Sequence, residues 1–395
     1  MKHIWLILTT LTLARTVMGF QFQSVAAVGS LLTTESKITH AELGALIGIY
    51  LLPGVIFAIP GGWLGKRFGD KQVVLTGLLM MTFGGLLFAL SDTYQMMFLG
   101  RLISGFGAVL LNVLVTKMVA DWFAEFRIEI AMGILISSWP LGIAVALMSM
   151  GPLEELLGLR YAFLVPAILC AIAFFLVFSI YSNSPDTSET TKGSFVPTKA
   201  KLTNYEIWGV FLCGCVWCLY NIAFILPLSF GPEYLVTKGI ALTSAGATVS
   251  LASWLIIPAL PMGAWIAERI GLPDLTIIAT FVAAASLILM IPISNFYIII
   301  FAALGLVFGP AGGLIMALPS QVLSKENRAI GMGIFFTIYY LGMAILPVIA
   351  GYVQDFTGSP SAPFILAGIS LLITIATLVI FRMIQVRIFH MLTKS

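Results

Sequence analysis

Two arginines stand where a chain of this kind rarely keeps a charge. Arg15 lies in the middle of an apolar stretch running from Ile4 to Leu32, and Arg101 lies toward one end of another, 96–118. A charge at the centre of a bilayer costs roughly 2.5–3.5 kcal/mol even on the gentler insertion scales, so such a residue marks a functional position. Arginine does not deprotonate in proteins, and its planar fork matches oxyanions. No Asp, Glu or His falls in the middle of any apolar stretch as segmented below. The interior charge is therefore positive and without a carboxylate partner, an arrangement suited to receiving an anion. Chemistry that makes or breaks bonds is not indicated. There is no nucleophile–base pair, no metal-ligand cluster and no phosphate loop, and His3, His40 and His390 fall outside the stretches. We expect no enzyme, no catalytic residue, no bound metal and no cofactor.

Helical spacing at ~100° per residue sorts the other candidates by face. Arg15, Gly19, Phe22 and Ala26 share one side of the first stretch, where Gly19 would leave room beside the guanidinium. The competing reading is that Arg15 binds backbone carbonyls at a helix break. In the fourth stretch Arg101, Ala108 and Asn112 project within ~20° of one another. Arg101 reads equally as structural, and Asn112 as a ligand group or as interhelical glue. Trp217, Tyr220, Asn221 and Phe224 form an i, i+3, i+4, i+7 stripe just before Pro227. Such stripes usually pack; the two polar groups on this one allow it to line a cavity. Trp139, Tyr339 and Tyr340 are weaker candidates. Lys117 and Asp121 read as a snorkelling i, i+4 pair, and Gly305, Gly309 and Gly313 with Pro310 as a surface for close helix approach.

The elements that must carry these residues follow from composition. Hydrophobic residues make up 60% of the 395 and charged ones 9%, far below the roughly 25% charged of soluble domains. Apolar runs near the length that crosses ~30 Å of hydrocarbon recur from end to end. Breaking them at charges, Pro/Gly turns and polar clusters gives twelve spans: 4–32, 43–65, 73–91, 96–118, 131–151, 161–181, 206–230, 243–267, 275–293, 296–319, 329–353 and 363–385. Pro53 with Pro60, and Pro258 with Pro261, are where this count is most open to change by one. Lys2 and His3 ahead of an apolar run resemble a secretory leader. No small-x-small cleavage site follows, so an uncleaved first helix is expected. Basic residues crowd one side: Lys66, Arg67, Lys71, Arg127, Lys192, Lys199, Lys201, Arg269, Lys325, Arg328 and Arg382 among them, against Lys37, Arg160 and Lys238 opposite. The positive-inside rule then puts both termini in the cytoplasm of a multi-pass protein of the plasma membrane, or the inner membrane of a Gram-negative cell. The net charge of +3 points to no nucleic acid. Cys170, Cys213, Cys215 and Cys218 fall inside spans and read as buried small hydrophobes.

Residues 182–205, rich in Ser, Thr, Pro and Lys, read as a cytoplasmic linker between 1–181 and 206–395. The two sides repeat. Gly61-Gly62-Trp63-Leu64-Gly65-Lys66-Arg67-Phe68-Gly69 corresponds to Gly263-Ala264-Trp265-Ile266-Ala267-Glu268-Arg269-Ile270-Gly271, and Ala131-Met132-Gly133-Ile134 to Gly331-Met332-Gly333-Ile334. Internal repeats of this kind build many secondary carriers.

On these motifs the chain resembles the major facilitator superfamily over essentially its whole length. Gly62 to Lys71 is similar to the family's loop between helices two and three, with Lys66 where an acid is usual and Asp70 where a base is usual; the copy with Glu268 and Arg269 is closer to the common pattern. Gly100-Arg101-Leu102-Ile103-Ser104-Gly105-Phe106-Gly107 resembles its Arg-x-x-x-Gly-x-Gly motif. Asp121 to Arg127 resembles the loop before helix five, whereas Ser138-Trp139-Pro140-Leu141-Gly142 lacks the Gly-Pro pair of antiporters. Arg15 followed by Ser24 to Leu32 resembles the cyanate-permease-like branch. The resemblance implies an all-α membrane protein of two six-helix bundles whose helices one, four, seven and ten line a central cavity. Read with the helix faces above, it points to a carrier working by alternating access, whose small anionic solute we expect to be bound by Arg15, Asn112, Tyr220, Asn221 and Trp217. It gives gating or structural roles to Gly62, Lys66, Arg67, Gly69, Asp70, Arg101, Gly105, Glu268 and Arg269. The expected partners are that solute and the bilayer; no protein partner is specified. The alternatives are an exporter of apolar or cationic compounds with Arg15 structural, or a transport-inactive receptor.

Overall fold

The computed structural model of the protein describes residues 2–57, 61–124, 126–182, 202–324 and 326–392; the side chains at 2, 61–63, 66, 264, 329 and 386–392 fall outside that description. At Gly62 and Lys66 only the backbone is thus described, and most of the expected linker, with Lys192, Lys199 and Lys201, lies outside the described residues.

The described chain is helical almost throughout, with no strand among the described residues. The first bundle comprises α1 (Lys2–Ala27), α2 (Gly29–Thr34), α3 (His40–Gly48), α4 (Gly54–Phe57), α5 (Gly61–Phe68), α6 (Asp70–Leu90), α7 (Tyr94–Phe123), α8 (Ile128–Leu157), α9 (Leu159–Ala162) and α10 (Leu164–Ile180). The second comprises α11 (Asn204–Thr237), α12 (Leu242–Ala259), α13 (Met262–Ile270), α14 (Pro273–Met290), α15 (Tyr297–Ala317), α16 (Arg328–Thr357) and α17 (Ala362–Leu392). Eleven of the described helical segments are long and apolar enough to cross a membrane. The second expected span is not a single helix: it breaks between α3 and α4 at a turn around Tyr50–Pro53, one of the two places where the prolines left the count open. A proline has no N–H to give the preceding turn, and the chain re-forms as short helices on either side.

Small residues decide how closely the helices approach. A Cβ on Gly107 would meet the Gly77 carbonyl at 2.1 Å, locking α6 to α7, and one on Gly142 would meet the Thr16 carbonyl at 2.1 Å, locking α1 to α8. Gly305 and Gly309 bring α15 onto Ala252 and Ala259 of α12, the close approach expected of that glycine row, while Gly313 faces open space. The repeated loop also has a repeated backbone device. Gly69 (φ 89°) and Gly271 (φ 68°) both adopt left-handed conformations in which a side chain would be strained.

The bundles meet chiefly through α3 on α16 and α8 on α12, with α1 and α2 against α11. Gly44 packs on the Pro347 carbonyl, Gly48 on Ala344, Gly351 on the His40 carbonyl and Gly246 on the Leu147 carbonyl. Every hydrogen bond between the bundles, among the described residues, lies between mid-height and the end bearing His40. The molecule is closed at that end.

Candidate functional site

Arg15 projects from the middle of α1 into a notch between α7 and α8. Its Nε donates to Asn112 Oδ1 at 2.8 Å, and its Nη1 donates to the Leu135 carbonyl at 2.6 Å, to Ser138 Oγ at 3.2 Å and to the Ile136 carbonyl at 3.4 Å. The helix supplies those acceptors for a local reason. Pro140 has no N–H, so the Ile136 carbonyl four residues earlier has no donor inside its own helix. An arginine on the facing helix covers that edge. Its remaining nitrogen, Nη2, makes no hydrogen bond among the described residues, and the side chain is half-buried with no ion pair. Both readings of Arg15 are thus present at once: Nε and Nη1 are fixed to Asn112, to Ser138 and to carbonyls of α8, and the Nη2 amino group is left over.

Asn112 joins this cluster to the second bundle, because its Nδ2 donates to Tyr340 Oη at 3.4 Å. The Tyr340 ring crosses the bundle interface and lies against Gly54, where a Cβ would stand 2.3 Å from it. Tyr339 packs on Tyr340 at 5.0 Å between centroids, and Trp217 lies 6.2 Å from Tyr339. Trp217 therefore reaches the arginine's neighbourhood through two tyrosines.

The rest of the expected stripe is engaged elsewhere. Tyr220 is buried and gives its hydroxyl to the Phe308 carbonyl of α15 at 2.7 Å. Asn221 donates to the Trp217 carbonyl one turn back on its own helix, at 2.8 Å. Neither touches Arg15 or Asn112 by hydrogen bond. Gly19 does not leave room for a ligand: a Cβ there would lie 2.7 Å from the Trp139 carbonyl and 3.3 Å from Gly142, so its smallness serves the contact of α1 with α8.

Arg101 is used differently. It is 2% exposed, its Nε donates to the Leu46 carbonyl, its Nη1 to the Gln21 carbonyl and its Nη2 to the Phe22 carbonyl, and its guanidinium lies 4.4 Å from the Tyr50 ring centre. It ties α7 to α1 and to the end of α3. Gly105 allows this by admitting the Tyr50 carbonyl to a distance of 2.3 Å from where a Cβ would be. A small cavity beside it, lined by Gln21, Ser24, Gly85, Ser104 and Phe163, holds about 10 Å³ of water-sized space.

Among the loop residues, Asp70 pairs with Lys117 of α7, which also reaches Asp121 at 3.6 Å. The reversed sign at position 70 thus finds its cation on the fourth span, beyond the expected i, i+4 pair. Arg67 stacks near Phe68, and Arg269 lies 4.6 Å from the Trp265 ring centre. Glu268 is exposed without an ion pair among the described residues. Sequence reasoning passed over Ser138 as part of a poor motif and did not weigh Gln21 or Gln23. Two amides within an apolar helix were a readable signal. Gln21 Nε2 donates to the Met81 carbonyl, and Gln23 Nε2 to the Leu228 carbonyl of the second bundle.

Comparison with known proteins adds the following. The sequence profile described as the Major Facilitator Superfamily matches residues 11–347 and 212–387. The Probable nitrate transporter NarT of Staphylococcus haemolyticus is 26% identical over 92% of this chain and 93% of its own length. The Inner membrane transport protein YajR of Escherichia coli is 33% identical over 40% of this chain, which spans about a third (35%) of that relative. The crystal structure of nucleoside transporter NupG superposes with a TM-score of 0.76 at 15% identity, covering 95% of this chain and 99% of that one.

Proposed function

The chain belongs to the Major Facilitator Superfamily, and we propose that it carries a small, singly charged anion by alternating access, with Arg15 as the counter-charge. It is a multi-pass membrane transporter of that family and not an enzyme. The observation that carries the anion reading is the Nη2 amino group of Arg15, which makes no hydrogen bond among the described residues, beside Asn112 and with no ion-paired carboxylate. A guanidinium N–H donates a charge-assisted hydrogen bond to an oxyanion, and a relative matched over nearly the whole chain is the Probable nitrate transporter NarT of Staphylococcus haemolyticus. Asn112 and Tyr340 complete the site, and Tyr340 makes it respond to movement between the bundles. Both termini face the cytoplasm. Support comes from the asymmetry of basic residues and from His3 hydrogen-bonding Ser182 at 3.2 Å, which brings the start of α1 and the end of α10 to one face.

The test is uptake of labelled nitrate, as a probe, into proteoliposomes. Arg15→Gln is expected to abolish uptake while the protein keeps its abundance in the membrane and its monodispersity. A second reading, an exporter of apolar or cationic compounds in which Arg15 only satisfies the Leu135 and Ile136 carbonyls, predicts loss of folded protein instead. Transport competed only by cations or neutral lipophiles would overturn the anion reading.

A further inference from the structure

At the closed end, one contact between the bundles is built from ionisable groups alone. His40, the first residue of α3, places Nε2 2.8 Å from Glu233 Oε1 of α11 and Nδ1 2.5 Å from Asp355 Oδ1 of α16. Carboxylates only accept, so a ring that offers both nitrogens to carboxylate oxygens must carry a proton on each. The imidazolium is thus the form that fits. The same carboxylate of Asp355 also accepts from the backbone N–H groups of His40 and Ala41, at 3.1 and 2.8 Å. Gly351 lets α16 approach the His40 carbonyl without a side chain in the way.

The interface also buries polar side chains: Gln23 of α1, Ser229 and Glu233 of α11 and Gln354 of α16.

The charged groups that bear on His40 can be named from each packed element. Glu233 comes from α11 and Asp355 from α16, and α2 contributes the Thr33 hydroxyl, 3.5 Å from Glu233. Glu42, on the same short helix, is occupied in a capping box with Thr39.

Resting on the alternating-access reading and its orientation, we propose that His40, clasped by Glu233 and Asp355, is an external proton-binding site that latches the bundles together. Through it the pH outside sets how often the carrier opens outward, and no proton crosses the membrane. The clasped ring is raised from 6.5 to about 9, first by its hydrogen bond to Glu233 and then by Asp355, against the opposing effect of burial. Released from its partners it returns to about 6.5. The closed form therefore holds the extra proton between those values. The latch is at full strength below about 6.5 and is lost as pH rises through about 9. The His40 side chain is 30% exposed at that end, so the proton arrives from and returns to the same compartment. This separates a pH-controlled opening from proton-coupled transport.

The experiment measures distance, not flux. Spin labels on Leu156 and Lys238, at the closed ends of α8 and α11, would report separation of the bundles in the full-length protein with its four cysteines replaced by alanine. We expect the long-distance population to grow about tenfold between pH 6.5 and 9, allowing for solvent exposure. His40→Gln should remove the pH response, and His40→Arg should hold the short distance throughout. A parent distribution that does not change with pH, or a His40→Gln response equal to the parent's, would overturn the proposal. If neither His40 variant folds, Glu233→Gln decides: a weakened response supports the latch, and an undiminished one refutes it. No solute enters the measurement, so failure of the anion reading and failure of the latch are read separately.

Discussion

Arg15 and Arg101 pose the same problem to the membrane and solve it in different ways. Each is a permanent cation in an apolar interior, and neither has a carboxylate partner among the described residues. Arg101 spends every nitrogen of its fork on carbonyls of α1 and α3 and lays its flat face on Tyr50. Arg15 commits Nε to Asn112 and Nη1 to the carbonyls near Pro140 and keeps Nη2. A saturated guanidinium holds helices in place. One that is half saturated is oriented without being used up, which is the condition for recognising a ligand with little reorganisation. What separates a structural charge from a binding charge here is the number of hydrogen bonds left over, not depth or burial alone.

The comparison breaks most visibly at Arg101. Arg101→Gln removes charge-assisted bonds to buried carbonyls, so we expect a loss of about 3 kcal/mol or more and a protein that fails to accumulate, measured by fluorescence-detected size exclusion. An Arg101→Gln protein of normal abundance that lacks transport would reverse the assignment of roles. Arg15→Gln, by contrast, should leave the fold within about 1–2 kcal/mol of the parent.

Asn112→Asp sharpens the contrast within the site. It places a carboxylate at the position now 2.8 Å from Arg15 Nε and neutralises the guanidinium in place. Nitrate affinity is expected to fall by about a hundredfold, roughly 2.7 kcal/mol, while thermal stability holds or rises. Unchanged affinity would mean that Arg15 faces no anion. The smallest effect is expected from Tyr340→Phe, which deletes only the 3.4 Å hydrogen bond from Asn112. A loss of about 0.5–1.5 kcal/mol corresponds to a few-fold change in uptake, and it should be absent in an Asn112→Ala background if the two act through one bond.

Most of the fold was legible in the sequence, because span length and the Gly69/Gly271 repeat are local signals. The pairing of Arg15 with Asn112 was legible only as two faces that might meet. Which edge of the arginine is occupied was not, since the acceptors at Leu135 and Ile136 lie 120 and 121 residues away and exist as acceptors because of Pro140. Gly19 misled for a related reason. Spacing along one helix marks an empty place, but only the neighbouring helix decides whether backbone fills it, and here the Trp139 carbonyl does. Tyr220 and Asn221 share a stripe with Trp217, yet their polar ends turn to α15 and to their own helix. The divided second span was announced by Pro53, while the buried Tyr50 at its turn is held by Arg101 from a helix the local sequence does not include.

The length of α11 has a consequence of its own. Its 34 residues extend about 51 Å at 1.5 Å per residue, whereas a bilayer offers about 30 Å of hydrocarbon and 40–45 Å with its headgroups. The sixth span, Leu159–Ile180, has 22 residues and reaches about 33 Å, close to the hydrocarbon thickness. One protein thus sets a helix matched to the bilayer beside one that exceeds it. The long helix must lean or protrude, so the thickness of the surrounding membrane becomes a variable of the transport cycle, set by the lipid and not by the solute.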